Sequence, residues 1–174
     1  MEEVQRFVQS STDQNHDDLE LVVVDQNGDS RLEEILAAAR LPFPIMHLRS
    51  KSGLSHARNV GLAAATGDII SFPDDDCWYP KGLLARVVLR FRSCPSVDGL
   101  TGRSEDGQGQ ASGGKFSREQ GQVNLNNVWK RGISYTIFLR SSVCSAVGSF
   151  DEELGVGRTL RSPLVRRRTT SFEP

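Results

Sequence analysis

Ile69-Ile70-Ser71-Phe72 runs through Pro73 straight into three consecutive carboxylates, Asp74, Asp75 and Asp76. An apolar run this short reads as a buried strand and not as a helix. The acids therefore stand just past its carboxyl end, where open α/β sheets hold their ligands. Neighbouring carboxylates repel one another, so a fold that packs them together needs a compensating cation. Hard oxygen donors suit Mg2+ or Mn2+, which use one or two carboxylates and bridge to substrate phosphates. A solvated acidic turn is the competing reading, and spacing alone does not choose between the two.

The 174 residues allow one domain with a real core. The net charge of -1 gives bulk electrostatics no preference for nucleic acid or an anionic membrane. Charge is nevertheless uneven, because Arg158, Arg161, Arg166, Arg167 and Arg168 crowd the last stretch. A nucleic-acid patch there would call for interleaved aromatics, which are lacking, so no nucleic-acid partner is expected. No apolar run approaches the ~20 residues of a membrane span, and the acidic start Met1-Glu2-Glu3 has no signal-peptide core. Cys77, Cys94 and Cys144 are odd in number and widely spaced, which points to a reducing, cytoplasmic setting and away from a disulfide framework or zinc.

Taken in order, Val4, Phe7 and Val8 carry helical spacing over residues 2–10. Leu21-Val22-Val23-Val24 is a β-branched strand entering the turn Asp25-Gln26-Asn27-Gly28. Asp29 or Ser30 can cap a helix running to about Ala39, and residues 45–48 form a second strand. Ser52-Gly53 opens a helix over 54–65, with Gly67 as its stop. After the acidic turn, Pro80 suits the first turn of a helix over 80–92, with Leu83, Leu84, Val87, Val88 and Phe91 on its apolar face. Residues 97–102 and 133–139 are further strands, 104–121 a polar loop, and Ser141 a cap for a short helix ending at Gly148. Strands alternating with helices predict a mostly parallel α/β sheet flanked by helices.

Three pieces then resemble the family 2 glycosyltransferases of the GT-A, Rossmann-like fold. They are Asp25-Gln26-Asn27, Gly53-Leu54-Ser55-His56-Ala57-Arg58-Asn59-Val60-Gly61, and the stretch from Gly67 to Asp76. Each alone is weak; their order on a strand, a helix and a strand makes the combination specific. The likeness continues through residues 132–138 and Gly148-Ser149-Phe150-Asp151-Glu152, giving a partial domain over 1–157. It implies sugar transfer from a nucleoside diphosphate donor, UDP-linked, to a saccharide or lipid-linked acceptor, with inversion, as in polysaccharide biosynthesis. It also implies that Asp25, Gln26 and Asn27 meet the base and ribose. Arg58, Asp74 and Asp75 would then contact the nucleotide, and Asp74 and Asp76 would form the Asp-x-Asp metal site for Mn2+ or Mg2+. The family often has an acid where Gln26 stands, but an amide still offers a base edge both donor and acceptor. Arg58 has a helix-surface salt bridge as its plainer alternative. For Trp78 packing is preferred to lining the donor sugar, His56 is expected as a cap or exposed, and Lys130 and Arg131 are expected as surface charge.

The sequence departs from the family pattern in two places. The first apolar strand of the fold has no counterpart before Glu2, so the Leu21 and Ile69 strands are expected to lack their shared neighbour. After Gly157 the family's acidic signature, which holds the general base, is replaced by Arg158-Thr159-Leu160-Arg161. No catalytic residue is therefore identified. Leu164-Val165-Arg166-Arg167-Arg168 can be encoded so that a one-base shift reads Trp-Ser-Gly-Glu-Glu, which makes residues 158–174 a basic tail, disordered or frameshifted. A non-catalytic nucleotide-diphosphate-binding remnant or interaction module is the rival reading. A sugar nucleotidyltransferase is a weaker one, for want of a glycine-rich basic phosphate loop.

Overall fold

Leu21–Asp25 and Ile45–Arg49 pair in parallel as β1 and β2, with Leu21 opposite Ile45 and Asp25 opposite Arg49. The computed structural model describes residues 2–14 and 16–154; the basic tail over 158–174 lies outside them. Helix α1 (Glu2–Thr12) precedes β1, and α2 (Arg31–Ala38) makes the crossover that a parallel pair requires. Helix α3 (Leu54–Ala64) leads to β3 (Ile69–Ser71), α4 (Leu83–Ser93) to β4 (Gly99–Thr101), and β5 (Ile137–Arg140) to α5 (Ser141–Val147).

The α/β class stands, but the parallel part is smaller than the alternation predicted. β5 lies between β3 and β4 and is antiparallel to both. The reason is the connection: β4 reaches β5 through irregular chain and 3-10 turns at Val128–Lys130 and Ser134–Thr136, without a crossover helix to restore direction. The strand expected over 133–139 is accordingly shorter, and its first part is one of those turns.

β1 and β3 belong to separate sheets and do not pair. The Glu20 carboxylate accepts the Thr66 N–H at 2.6 Å, the Gly67 N–H at 2.8 Å and the Thr66 hydroxyl at 3.0 Å, tying the two starts together. β1 pairs only with β2 and β3 only with β5, so among the described residues no strand joins the two sheets. Gly67 therefore serves as a donor to Glu20 and not as the helix stop; α3 ends at Ala64 with Ala65 extended.

The core is one cluster: Phe7 and Val8 from α1, Leu36 from α2, Tyr79, Leu84, Val87 and Phe91 around α4, and Phe138 from β5. Leu21, Val23, Ile45 and Ile69 pack against it from the sheets. The helical spacing of α1 thus resolves into a buried face, as the pattern required. Gly61 lets α3 lie close to β1, because a Cβ there would come 3.3 Å from Val24 Cγ2.

Helix α4 starts three residues later than its proline suggested. Gly82 takes the left-handed conformation at φ 70°, and the turn closes by a bond from Leu83 N–H to Pro80 O at 3.0 Å. The first orphan donors of a helix need a partner, and Gln14 supplies it from far away in sequence. Its Oε1 accepts the Leu84 N–H at 3.1 Å while its Nε2 donates to Ser10 O and Tyr79 O.

Candidate functional site

The strands end on two polar corners. At the end of β1, Asp25 is 1% exposed. Its carboxylate accepts the Asn27 N–H and side-chain amide at 2.8 Å each, faces His47 Nε2 at 3.2 Å, and pairs with Arg49 Nη1 at 3.0 Å. Burial pushes this carboxyl up, but the bonds from Asn27 and His47 and the charge of Arg49 outweigh it and hold the group below the usual aspartate value. Asp25 is thus an ionised anchor whose oxygens are already engaged inside the protein. Gln26 Nε2 donates to Lys51 O at 2.7 Å and Gly53 O at 3.0 Å, closing the loop between β2 and α3. Asn27 gives its carbonyl to Arg49. Sequence reasoning missed His47 and Arg49. The signal was there in part, since two-residue spacing on β2 puts 47 and 49 on one face, but their facing Asp25 depends on the parallel register.

The second corner is the acidic turn after β3. Asp74 O accepts the Cys77 N–H at 3.1 Å, and Asp76 O accepts Arg6 Nη2 from α1 at 2.9 Å. Asp75 and Asp76 are exposed and Asp74 is half-buried. Burial raises the Asp74 carboxyl above its ordinary value, the charges of Asp76 and Asp75 add to the rise, and Arg58 opposes it. The Cys77 thiol is pushed up to about 11, chiefly by burial. Trp78 is 39% exposed, so the expectation that it is packed away is not met.

Arg58 joins α3 to this turn. Its Nη2 donates to Ser134 Oγ at 3.1 Å and lies 3.4 Å from Asp74 Oδ1, and its guanidinium sits 5.7 Å from the Phe150 ring centroid. A contact with Asp74, across the sheet end, replaces the helix-surface salt bridge that was the plainer alternative. Ser134 and Phe150 lie in stretches that carry the family likeness but had no site role in the sequence reading, and Arg6 carried no local signal at all. His56 is neither a cap nor free, because its Nδ1 lies 3.0 Å from Glu152 Oε2. Lys130 is exposed, and Arg131 donates to Glu119 O at 2.7 Å.

Asp25, Gln26 and Asn27 form one cluster with β2; Arg58 and Asp74 form another with Ser134. No hydrogen bond or ion pair of the described residues joins the two. Among the described residues no group of three or more His, Cys, Asp or Glu side chains converges as a metal centre. What the turn does offer is adjacent hard oxygen donors, open to solvent, with one carboxyl raised partly by its neighbours' charge. Such a set fits a cation that takes its other ligands from a bound phosphate or water.

The profile of glycosyl transferase family 2 matches residues 2–147. An uncharacterized glycosyltransferase from Nostoc sp. is 30% identical over 137 residues, 71% of this chain and 42% of its own length. Among solved structures, S. aureus TarS 1–349 in complex with UDP matches at a TM-score of 0.71 with 24% identity, over 88% of this chain and 48% of that one. The mannosyltransferase PcManGT from Pyrobaculum calidifontis in complex with GDP-Man and Mn2+ matches at 0.65 with 16% identity, over 88% and 45%. At these identities the two structures speak for the shared fold. The chain spans less than half the length of each of these three proteins.

Proposed function

The chain belongs to glycosyl transferase family 2, and from that membership we propose that it binds a UDP-linked sugar across Arg58 and the acidic turn, for transfer to a saccharide or lipid-linked acceptor. The observation that carries the reading is the approach of Arg58 to Asp74. It sets a fixed cation beside a cluster of carboxylates at the carboxyl ends of the strands, where α/β sheets hold ligands. The solved relatives with UDP and with GDP-Man and Mn2+ support a nucleotide donor and a divalent ion.

Asp74 and Asp76 are the residues that would hold Mn2+ or Mg2+. When bound, that ion supplies Lewis-acid stabilisation of the departing diphosphate. Arg58 would orient a phosphate or base carbonyl by charge and direction. Asp25, Gln26 and Asn27 shape the corner for base and ribose through the loop they hold, with Asp25 acting on the architecture more than on the ligand. Inversion at the anomeric carbon and a cytoplasmic setting complete the reading. The three cysteines are free, which suits a reducing compartment, and no helix among the described residues is long and apolar enough to cross a membrane.

A calorimetric titration with UDP tests it. Binding in Mn2+ that is lost on adding chelator and in Asp76→Ala is expected; affinity unchanged by chelator would overturn the metal-diphosphate site. A second reading is a donor-binding remnant without turnover, for which the described residues show bonded polar corners but no group of three or more His, Cys, Asp or Glu side chains converging on a metal. Glycosyl-transfer and donor-hydrolysis assays separate the two, because activity abolished by Asp76→Ala eliminates the remnant.

A further inference from the structure

The segment after α5 is held against α3 by a set of contacts that neither corner of the site uses. Asn59 treats Phe150 as a strand neighbour would. Its Oδ1 accepts the Phe150 N–H at 2.8 Å and its Nδ2 donates to Phe150 O at 3.0 Å and to Glu152 Oε1 at 2.9 Å. His56 meets the other oxygen of Glu152, and the Ser55 hydroxyl donates to Leu154 O. One face of α3, at positions 55, 56 and 59, therefore fixes residues 150–154 along the helix.

This fastening determines where the Phe150 ring goes. The ring stands edge-on to Phe72, with centroids 5.1 Å apart and planes at 84°. The Arg58 guanidinium lies over the same ring, 5.7 Å from its centroid. Phe72 is two residues before Asp74, so Phe150 touches both the element that carries the arginine and the one that carries the acids. Arg58 itself is loosely tethered: one good bond to Ser134 and a long one to Asp74 leave most of its N–H donors uncommitted. Its side chain is only 14% exposed, so packing must choose the direction in which those donors point.

We propose that Phe150, fastened by Asn59, is a positioning residue that holds the Arg58 guanidinium in its nucleotide-binding direction. The inference rests on the donor-binding reading and extends it to the segment that follows α5. Loss of the ring lets the guanidinium swing toward Asp74, where it would neutralise the carboxylate instead of meeting the ligand. The Phe150 position also borders an apolar cavity of about 180 Å³ formed with Leu62, Phe72, Leu139 and Val143. That space admits the extra atoms of another aromatic.

UDP affinity measured by calorimetry on the full chain, in Mn2+, tests the proposal. Phe150→Leu is expected to weaken UDP about tenfold, the range of a partly desolvated cation–π contact. Phe150→Tyr should restore affinity to within about twofold, which a purely structural role of the segment would not require of the ring's π face. In an Arg58→Ala background, Phe150→Leu should produce no further loss. Equal losses in Leu and Tyr variants, or additive losses in the double variant, overturn the positioning role while leaving the donor-binding reading intact. A wild-type chain that does not bind UDP, or Arg58→Ala binding as tightly as wild type, overturns that reading and the inference with it. Asn59→Ser, which keeps a small polar side chain but cannot pair with both backbone groups, should reproduce the Leu result.

Discussion

Gln14 caps helix α4 from seventy residues away: its side-chain oxygen accepts the Leu84 N–H at 3.1 Å, and the residue is fully buried. The same amide donates to Tyr79 O, so one side chain satisfies both a helix donor and a turn acceptor of the core.

Gln14→Leu should therefore be costly although it adds apolar surface. It leaves the Leu84 N–H and the Tyr79 carbonyl with lost partners, and an unsatisfied buried group costs about 1–3 kcal/mol. We expect a loss of about 2–4 kcal/mol in urea denaturation, since two groups are affected and the added leucine returns part of the difference. A variant as stable as wild type would show that water or a rearranged turn replaces the amide.

Asp25→Asn should destabilise the domain by about 3 kcal/mol at neutral pH, because Arg49 would lose the charge that compensates it and His47 its carboxylate partner. The native carboxyl titrates below its ordinary value, so its contribution is present above the ordinary aspartate range and disappears as pH falls through the native value. Wild type and variant should converge in acid. Denaturation curves at stepped pH measure this, and a constant difference down to the lowest pH would contradict it.

Asp74 should behave with the opposite sign. Its carboxyl is raised in the folded chain, so the neutral form is favoured there, and stability falls as pH rises above the ordinary aspartate value, the loss being complete above the native one. Asp74→Asn is expected to raise Tm at neutral pH, with the gain fading as pH falls through the native value and gone below the ordinary aspartate value. The same change should weaken Mn2+-dependent UDP binding, read by calorimetry. A Tm that falls at neutral pH would mean that the Arg58 contact outweighs burial.

Cys77 should be a slow thiol despite its place beside the acidic turn. With its thiol near 11, about one molecule in a thousand carries the thiolate at pH 8. Iodoacetamide labelling followed by peptide mass mapping should show Cys77 reacting far more slowly than glutathione under the same conditions. Labelling as fast as the free thiol would contradict the burial that raises it.

The order of elements was legible in the chain because periodicity is a local property. Val4, Phe7 and Val8 mark a buried helix face wherever that helix packs, and Ile69 and Ile70 followed by three acids mark a strand end open to ligands. The residues of the acidic turn and Arg58 were legible for the same reason, as short patterns on adjoining elements. Strand direction was not. β5 has the same side-chain alternation in either sense, and only its connection from β4 and its place between β3 and β4 make it antiparallel.

The sequence by itself determined the α/β alternation, the family and the position of the carboxylates at a strand end. The tertiary structure alone decided what each polar side chain is for. Asp25 turns inward because the parallel register brings Arg49 opposite it, with His47 on the same strand within reach. Gln14 reaches Leu84, and Asn59 reaches Phe150, because packing closes gaps of 70 and 91 residues. A hydrogen bond fixes direction and distance to a fraction of an ångström. A pattern of apolar and polar residues fixes only which face of an element is buried.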